Sequence, residues 1–186
     1  TLYLGNGQGG FSEAGAGLTG VREGSTSIAD VNGDGNQDLL ITGGDETVDP
    51  TATLYLGNGQ GGFEEADAGL TGVFGRSTST ADIDGDGNQD LGITGFDGSD
   101  LTATLYLGNG QGGFSEAGAG LTGISSGSVS TGDIDGDADS DLLITGFSNA
   151  SVSESATLYE NLFDDPLSYP EEVATDTTRS FGDASG

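Results

Sequence analysis

The chain has 186 residues, with 31 acidic side chains against three basic ones and a formal net charge of −28. That charge repels nucleic acid and anionic membrane surfaces, so neither is an expected partner. Cys and His are both absent, which excludes a disulfide framework, a thiolate metal site, a Cys nucleophile and the commonest general base.

No apolar run approaches the roughly 20 residues of a membrane span, so no membrane insertion is expected in this segment. Apolar residues fall in short clusters such as "TLYL" and "LLITG", separated by some of the 37 glycines. Short clusters between turn residues predict β-strands, and nowhere does helical spacing persist without a glycine interrupting it.

In chain order, the first element is "TLYLGNGQGGF" at 1–11, with "AGLTG" at 16–20. The same eleven residues return unchanged at 53–63 and 104–114, "AGLTG" returns at 68–72 and 119–123, and a worn "TLYEN" starts at Thr157. Aspartate-rich segments open between them at Asp30, Asp82 and Asp133. A period near fifty residues means a solenoid, a propeller or an array, and the content of the unit chooses among them. In the unit starting at Ser77, "STSTADI" reads as a half-buried strand, "DGDGNQD" as a turn and "LGITGF" as a second strand. "DGSDLTA" reads as a loop holding the aromatic Phe96 at its edge, and "TLYLGN" as a third strand. A weak outer strand follows, as in "FEEADA" at 63–68. Four short antiparallel strands joined by tight turns make a β-propeller blade, and blades stack because one sheet cannot cover its own faces.

"GNGQGG" satisfies the dinucleotide-binding pattern G-x-G-x-x-G and follows a strand. That pattern needs a helix next, to hold a pyrophosphate. "FSEAGAGLTG" is too rich in glycine for that helix, so a hairpin turn with glycines at positive φ is expected instead.

The aspartate segments read D-x-[DN]-G-D-[GA]-x-x-D over 30–38, 82–90 and 133–141. An EF-hand loop would place a bidentate Glu at position 12, between helices. Position 12 here is Ile41, Ile93 or Ile144, and the last acid comes at position 9 as Asp38, Asp90 or Asp141. Calcium takes six to eight oxygens at about 2.3–2.6 Å. Acids at positions 1, 5 and 9, with Asp or Asn at 3 and a backbone carbonyl at 7, can converge on such an ion. Without one they repel. About three calcium sites are therefore expected; in the third, Ala138 stands where Gly35 and Gly87 make the sharp turn, which costs a residue with a Cβ about 1 kcal/mol, so the first two are expected to bind more reliably. Twelve of the 31 acids lie in these loops. The other nineteen, with no Lys anywhere, point to a surface adapted to high salt.

The pattern "ADVNGDGNQDLLITG" followed by "TLYLGNGQGGF" resembles the FG-GAP/VCBS-type repeats of integrin α-subunit propellers and of many secreted microbial surface proteins. The resemblance covers 1 to about 163, with a fragment at 179–186. It implies an all-β chain of propeller blades, each with a calcium loop between strands 1 and 2. It places the ligands at Asp30, Asn32, Asp34, Asn36 and Asp38; at Asp82, Asp84, Asp86, Asn88 and Asp90; and at Asp133, Asp135, Asp137, Asp139 and Asp141. Thr-Gly replaces the family's Gly-Ala-Pro at Thr42, Thr94 and Thr145, which argues against a true integrin relative. The expected units are the outer half of a blade at 1–22, blades at 23–73 and 74–124, a blade with a divergent outer strand at 125–178, and the first strand of another at 179–186. About three and a half blades do not close a standard ring, so the chain is expected to be a segment of a larger ring or assembly.

The functional expectation is a non-catalytic, extracellular or cell-surface propeller that contacts protein, glycan, filament or matrix, or other copies of itself. A lectin-like propeller and the scaffold of a polysaccharide-degrading enzyme are the alternatives. Tyr3, Tyr55, Tyr106 and Tyr159 repeat but read as packing residues, and Phe74, Phe96 and Phe147 read as loop aromatics. Asn149 opens an N-glycosylation sequon, and 164–180 reads as an outer strand with a linker or as an interaction arm.

Overall fold

The structure is a computed structural model and describes residues 1–44, 49–148 and 153–161. The sequon at Asn149, the 164–180 tail and the strand expected at 179–186 lie outside the described residues.

Regular structure among the described residues is entirely antiparallel β. Strands β1 (Leu2–Gly5) and β2 (Phe11–Ala14) form a hairpin. Strands β3 (Arg22–Ala29), β4 (Asp38–Gly44), β5 (Pro50–Gly57) and β6 (Phe63–Ala66) form a four-stranded sheet in chain order. Strands β7 (Phe74–Ala81), β8 (Asp90–Phe96), β9 (Leu101–Gly108) and β10 (Phe114–Glu116) repeat it. Strands β11 (Ile124–Gly132), β12 (Asp141–Ser148) and β13 (Ser153–Tyr159) give its first three strands again. Each sheet is a meander of neighbouring strands, which is the blade of a β-propeller. The described chain holds about three blades.

Two strands start earlier than their composition suggests. β7 begins at Phe74, because Phe74 pairs with Phe96 and Gly75 with Gly95 before a bulge at Arg76. β9 begins at Leu101, because Thr102 and Leu101 continue the ladder against Gly95 and Phe96. The phenylalanines are therefore strand residues, not loop aromatics. Phe74 and Phe96 stack as a cross-strand pair with ring centroids 6.3 Å apart, and Phe147 lies in β12 opposite Glu154.

The "GNGQGG" segments are hairpin turns, each leading into a strand. In each, an asparagine oxygen accepts two backbone N–H bonds. Asn58 Oδ1 takes them from Gln60 and Gly62 at 2.9 and 3.0 Å, and Asn109 takes them from Gln111 and Gly113 at the same distances. Gly59 and Gly61 have φ of 70° and 84°, a left-handed conformation that glycine adopts at little cost.

The apolar core lies between consecutive sheets. Leu40 of the first full blade packs against Leu91, Ile93 and Tyr106 of the next, with Val73. Ala103 of that blade packs against Ile124, Val129, Leu142 and Ile144 of the third. Full burial of each Leu or Ile is worth about 1.5–3 kcal/mol, so stacking of blades adds to the burial that each sheet makes for itself.

Two polar devices tie the same interfaces. A tyrosine of each third strand accepts a hydrogen bond from the "AGLTG" segment of the preceding unit. Thr19 N donates to Tyr55 Oη at 3.2 Å, Thr71 N to Tyr106 Oη at 3.2 Å and Thr122 N to Tyr159 Oη at 3.1 Å. Along the first strands, hydroxyls meet across the gap: Ser27 with Thr78 at 2.6 Å and Ser79 with Thr131 at 2.9 Å. The tyrosine bonds fit the reading of Tyr55, Tyr106 and Tyr159 as packing residues. Tyr55 and Tyr106 are buried, whereas Tyr3 in the lone hairpin is exposed.

Gly108 ends β9 with its backbone against the Gln89 carbonyl oxygen, where a Cβ would collide. Gly108→Ala should lower stability by about 1–3 kcal/mol, as overpacking typically does, read as a lower urea midpoint at unchanged slope.

Candidate metal centre

Each aspartate loop joins the first strand of a blade to the second, and its last acid opens that second strand. Asp38, Asp90 and Asp141 are at most 1% exposed. Burial of a carboxylate is tolerated only when its oxygens are satisfied. One oxygen accepts from the second residue of its own loop: Val31 N to Asp38 at 3.0 Å, Ile83 N to Asp90 at 2.7 Å, Ile134 N to Asp141 at 2.8 Å. The other accepts from the end of the third strand: Gly57 N at 2.8 Å, Gly108 N at 2.8 Å and Asn161 N at 2.9 Å. Position 9 is thus a staple between loop and sheet as well as a candidate ligand.

The remaining acids fold the loop around themselves. Asp30 accepts from Gly33 N and Gly35 N, both at 2.8 Å; Asp82 accepts from Gly85 N and Gly87 N, both at 2.9 Å. Asp133 does the same with Gly136 N at 2.7 Å and Ala138 N at 3.2 Å. Positions 3 and 5 each cap the N–H two residues on, as Asp84 does for Asp86 at 3.1 Å and Asp86 for Asn88 at 2.8 Å. Such bonds require left-handed residues at positions 4 and 6. The sequence shows the turn at position 6; position 4 turns as well, with Gly33, Gly85 and Gly136 at φ of 72°, 74° and 89°. Ala138 keeps the turn at φ of 80° despite its Cβ.

The geometry differs among the loops. Oxygens sharing one calcium at about 2.4 Å lie no more than about 4.8 Å apart. Carboxylate oxygens of Asp82, Asp84 and Asp86 lie within 4.8 Å of one another, as do those of Asp133, Asp135 and Asp141. In the first loop Asn32 stands at position 3 and donates its amide to Asp34 at 3.3 Å; among the described residues that loop brings no such trio of acids together. At position 7, Asn88 donates to Asp86 Oδ2 at 2.8 Å, and Asn36 and Asn88 sit directly against Gly59 and Gly110 of the neighbouring hairpin turn. Their side chains therefore brace the loop against that turn.

Electrostatics reflect the crowding. Burial pushes the Asp90 carboxyl above the usual range against the pull of its N–H donors, and the nearby Asp84 charge raises it further. Asp135 is raised by desolvation and by the charges of Asp137 and Asp141. Asp34 is lowered, chiefly by the Asn36 N–H. The donor set is all oxygen and strongly anionic, which fits a hard divalent cation such as calcium. Asp82, Asp84 and Asp86 would hold it in the second loop, and Asp133, Asp135 and Asp141 in the third.

The two classes of aspartate separate experimentally. Asp90→Asn leaves buried N–H donors facing an amide and should cost about 1–3 kcal/mol even in chelator. Asp84→Asn, on the rim, should change chelator-state stability by no more than about 0.5 kcal/mol while reducing any gain from calcium. Urea titrations of both variants with calcium and with chelator check this.

The FG-GAP-like repeat model matches residues 30–93 and again residues 82–144. Each match runs from the opening aspartate of one loop through the whole of the next, and together they span more than half of the chain. No curated protein sequence matches it. Among solved structures it is similar to a fucose lectin from Kordia zhangzhouensis in complex with methyl-fucoside. That similarity has 9% sequence identity and a TM-score of 0.46, over 73% of this chain and 91% of that one; a likeness so distant says nothing about what this chain binds. The repeated aspartate hairpins lie in register with the matched model, and the chain belongs to the FG-GAP-like repeat family.

Proposed function

We propose that this chain is a non-catalytic, calcium-loaded propeller segment of a secreted or cell-surface protein, making contacts with protein, glycan, filament or matrix partners. One observation carries the reading: the same loop of two successive blades holds a carboxylate trio within 4.8 Å, Asp82, Asp84 and Asp86 in one and Asp133, Asp135 and Asp141 in the next. Like charges held that close are costly, and a divalent ion converts the repulsion into cross-linking. Millimolar external calcium suits loops of modest affinity.

The buried acids support a structural role over acid–base catalysis. Asp38, Asp90 and Asp141 spend both oxygens on backbone N–H groups. The repeated tyrosines are hydrogen-bonded between sheets, which speaks for contacts through the blade surface ahead of a repeated aromatic sugar platform. A net charge of −28 favours a saline exterior, where screening relieves self-repulsion.

A melting series tests the calcium reading. Calcium at a hundred times its Kd should add about 2.7 kcal/mol per loaded loop, and chelator should remove it. Identical midpoints with calcium and chelator would sink it. In chelator, raising sodium chloride from about 0.1 M, where the Debye length is roughly 10 Å, to 1 M, where it is roughly 3 Å, should raise the midpoint. A falling midpoint would remove the high-salt reading alone.

A further inference from the structure

We infer that Asn161 is a positioning residue that couples cation binding in the second loop to cation binding in the third. The inference rests on the calcium reading above and extends it to a dependence between sites.

The argument starts from a departure in the repeat. Where β5 and β9 end in Gly57 and Gly108, the third blade has Asn161. Glycine is required in the first two cases, because a Cβ would meet the carbonyl oxygen of Gln37 or Gln89 at loop position 8. Asn161 keeps the shared backbone bond, its N–H donating to Asp141 Oδ1 at 2.9 Å. Its side-chain amide then donates to the position-8 carbonyl of its own loop, Ser140 O, at 3.4 Å. The same Nδ2 also donates to Ile83 O, in the loop of the preceding blade.

That last bond replaces one found at the other junction. There, Gly112 N of the next blade's hairpin turn donates to Val31 O at 3.3 Å. Val31 and Ile83 both occupy loop position 2. The third blade has no "GNGQGG" turn after "TLYEN". A side-chain donor from Asn161 supplies the N–H that a backbone donor supplies elsewhere. Two chemically different groups thus reach the same carbonyl, which marks that carbonyl as a contact the packing of blades requires.

The consequence lies in what the Ile83 carbonyl belongs to. It is part of the peptide unit whose N–H, on Asp84, donates to Asp90 Oδ2 at 3.4 Å; Ile83 N donates to the same oxygen at 2.7 Å. A continuous hydrogen-bonded path therefore runs from Asp141 through Asn161 and the Ile83–Asp84 peptide to Asp90. Asp141 belongs to the third-loop trio, and Asp84 to the second-loop trio. Hydrogen bonds in series polarise one another. An ion that fixes Asp141 fixes Asn161, and Asn161 holds the peptide that orients Asp84. Coupling free energy between two sites is reciprocal, so loading either loop favours the other.

The test is a calcium titration followed by two-dimensional NMR, reading the amides of Gly85 and Gly87 for the second loop and of Gly136 and Ala138 for the third. Asp133→Asn with Asp135→Asn disables the third loop. In the parent chain this should weaken calcium binding at the second loop at least about fivefold, the lower end of ordinary coupling. Asn161→Gly restores the residue of the other repeats and keeps the bond to Asp141; in that background, disabling the third loop should leave second-loop affinity unchanged. Asn161→Ala serves if the glycine variant loses the parent's amide dispersion. Second-loop affinity indifferent to the third loop in the parent would overturn the inference. So would equal dependence with and without the Asn161 side chain. If calcium moves none of the four amides, the calcium reading fails and the coupling falls with it.

Discussion

The architecture depends on a buried aspartate with both oxygens occupied by backbone donors. Asp38, Asp90 and Asp141 stand where a loop ends and a strand begins. Each fastens the start of its loop to the end of the third strand. An aspartate in that position accepts through both oxygens, which an amide of the same shape does not, because every partner is a donor. The loop is consequently held to the sheet by its own backbone donors. Burial raises the Asp90 carboxyl because desolvation outweighs the N–H donors of Gly108 and Ile83, with the Asp84 charge adding to it.

Stacking does the rest. The cluster around Leu40 and Leu91 is shared between neighbouring blades, and the cluster of Ile124, Val129, Leu142 and Ile144 in the third sheet is closed by Ala103 of the blade before it. The tyrosine clamp adds direction to that apolar contact, since a hydroxyl can accept from the preceding "AGLTG" segment only at one relative placement of the blades. Among described residues, Arg76 and Glu23 form an ion pair at 3.1 Å with both side chains partly exposed. A surface pair of that kind contributes at most about 1 kcal/mol. It does little against a net charge of −28, and the contacts described between blades are apolar and hydrogen-bonded.

Much of this was legible in the sequence because the repeat presents each signal three times. The hairpin turns, the loop spacing, the sharp bend at position 6 and the packing role of the tyrosines follow from residue type and period. The strand starts at Phe74 and Leu101 did not, since glycine, arginine and threonine around them look like loop while the ladder carries them. The double duty of position 9 was also hidden. An aspartate reads as a ligand, and only the burial of Asp90 and its bond to Gly108, eighteen residues away, show it as a staple. The second clue was available in principle: the glycine that ends "TLYLG" at 57 and 108 marks a close neighbour, which is the position-8 carbonyl. The difference between the first loop and the other two rests on a single amide, Asn32, whose effect depends on distances no spacing encodes.

The hydroxyl contacts along the first strands have a consequence for how such a chain grows. Ser27 meets Thr78, and Ser79 meets Thr131, so a first strand carries small hydroxyls on both of its faces. Any copy therefore meets a competent neighbour on either side, whatever its ordinal number. A genetic event that duplicates or deletes one whole unit leaves these hydroxyl contacts intact at each junction, while the donor to the loop-position-2 carbonyl differs from one junction to the next. Length becomes a freely variable trait, while a substitution that suits one junction alone, such as Asn161, fixes that unit in its place.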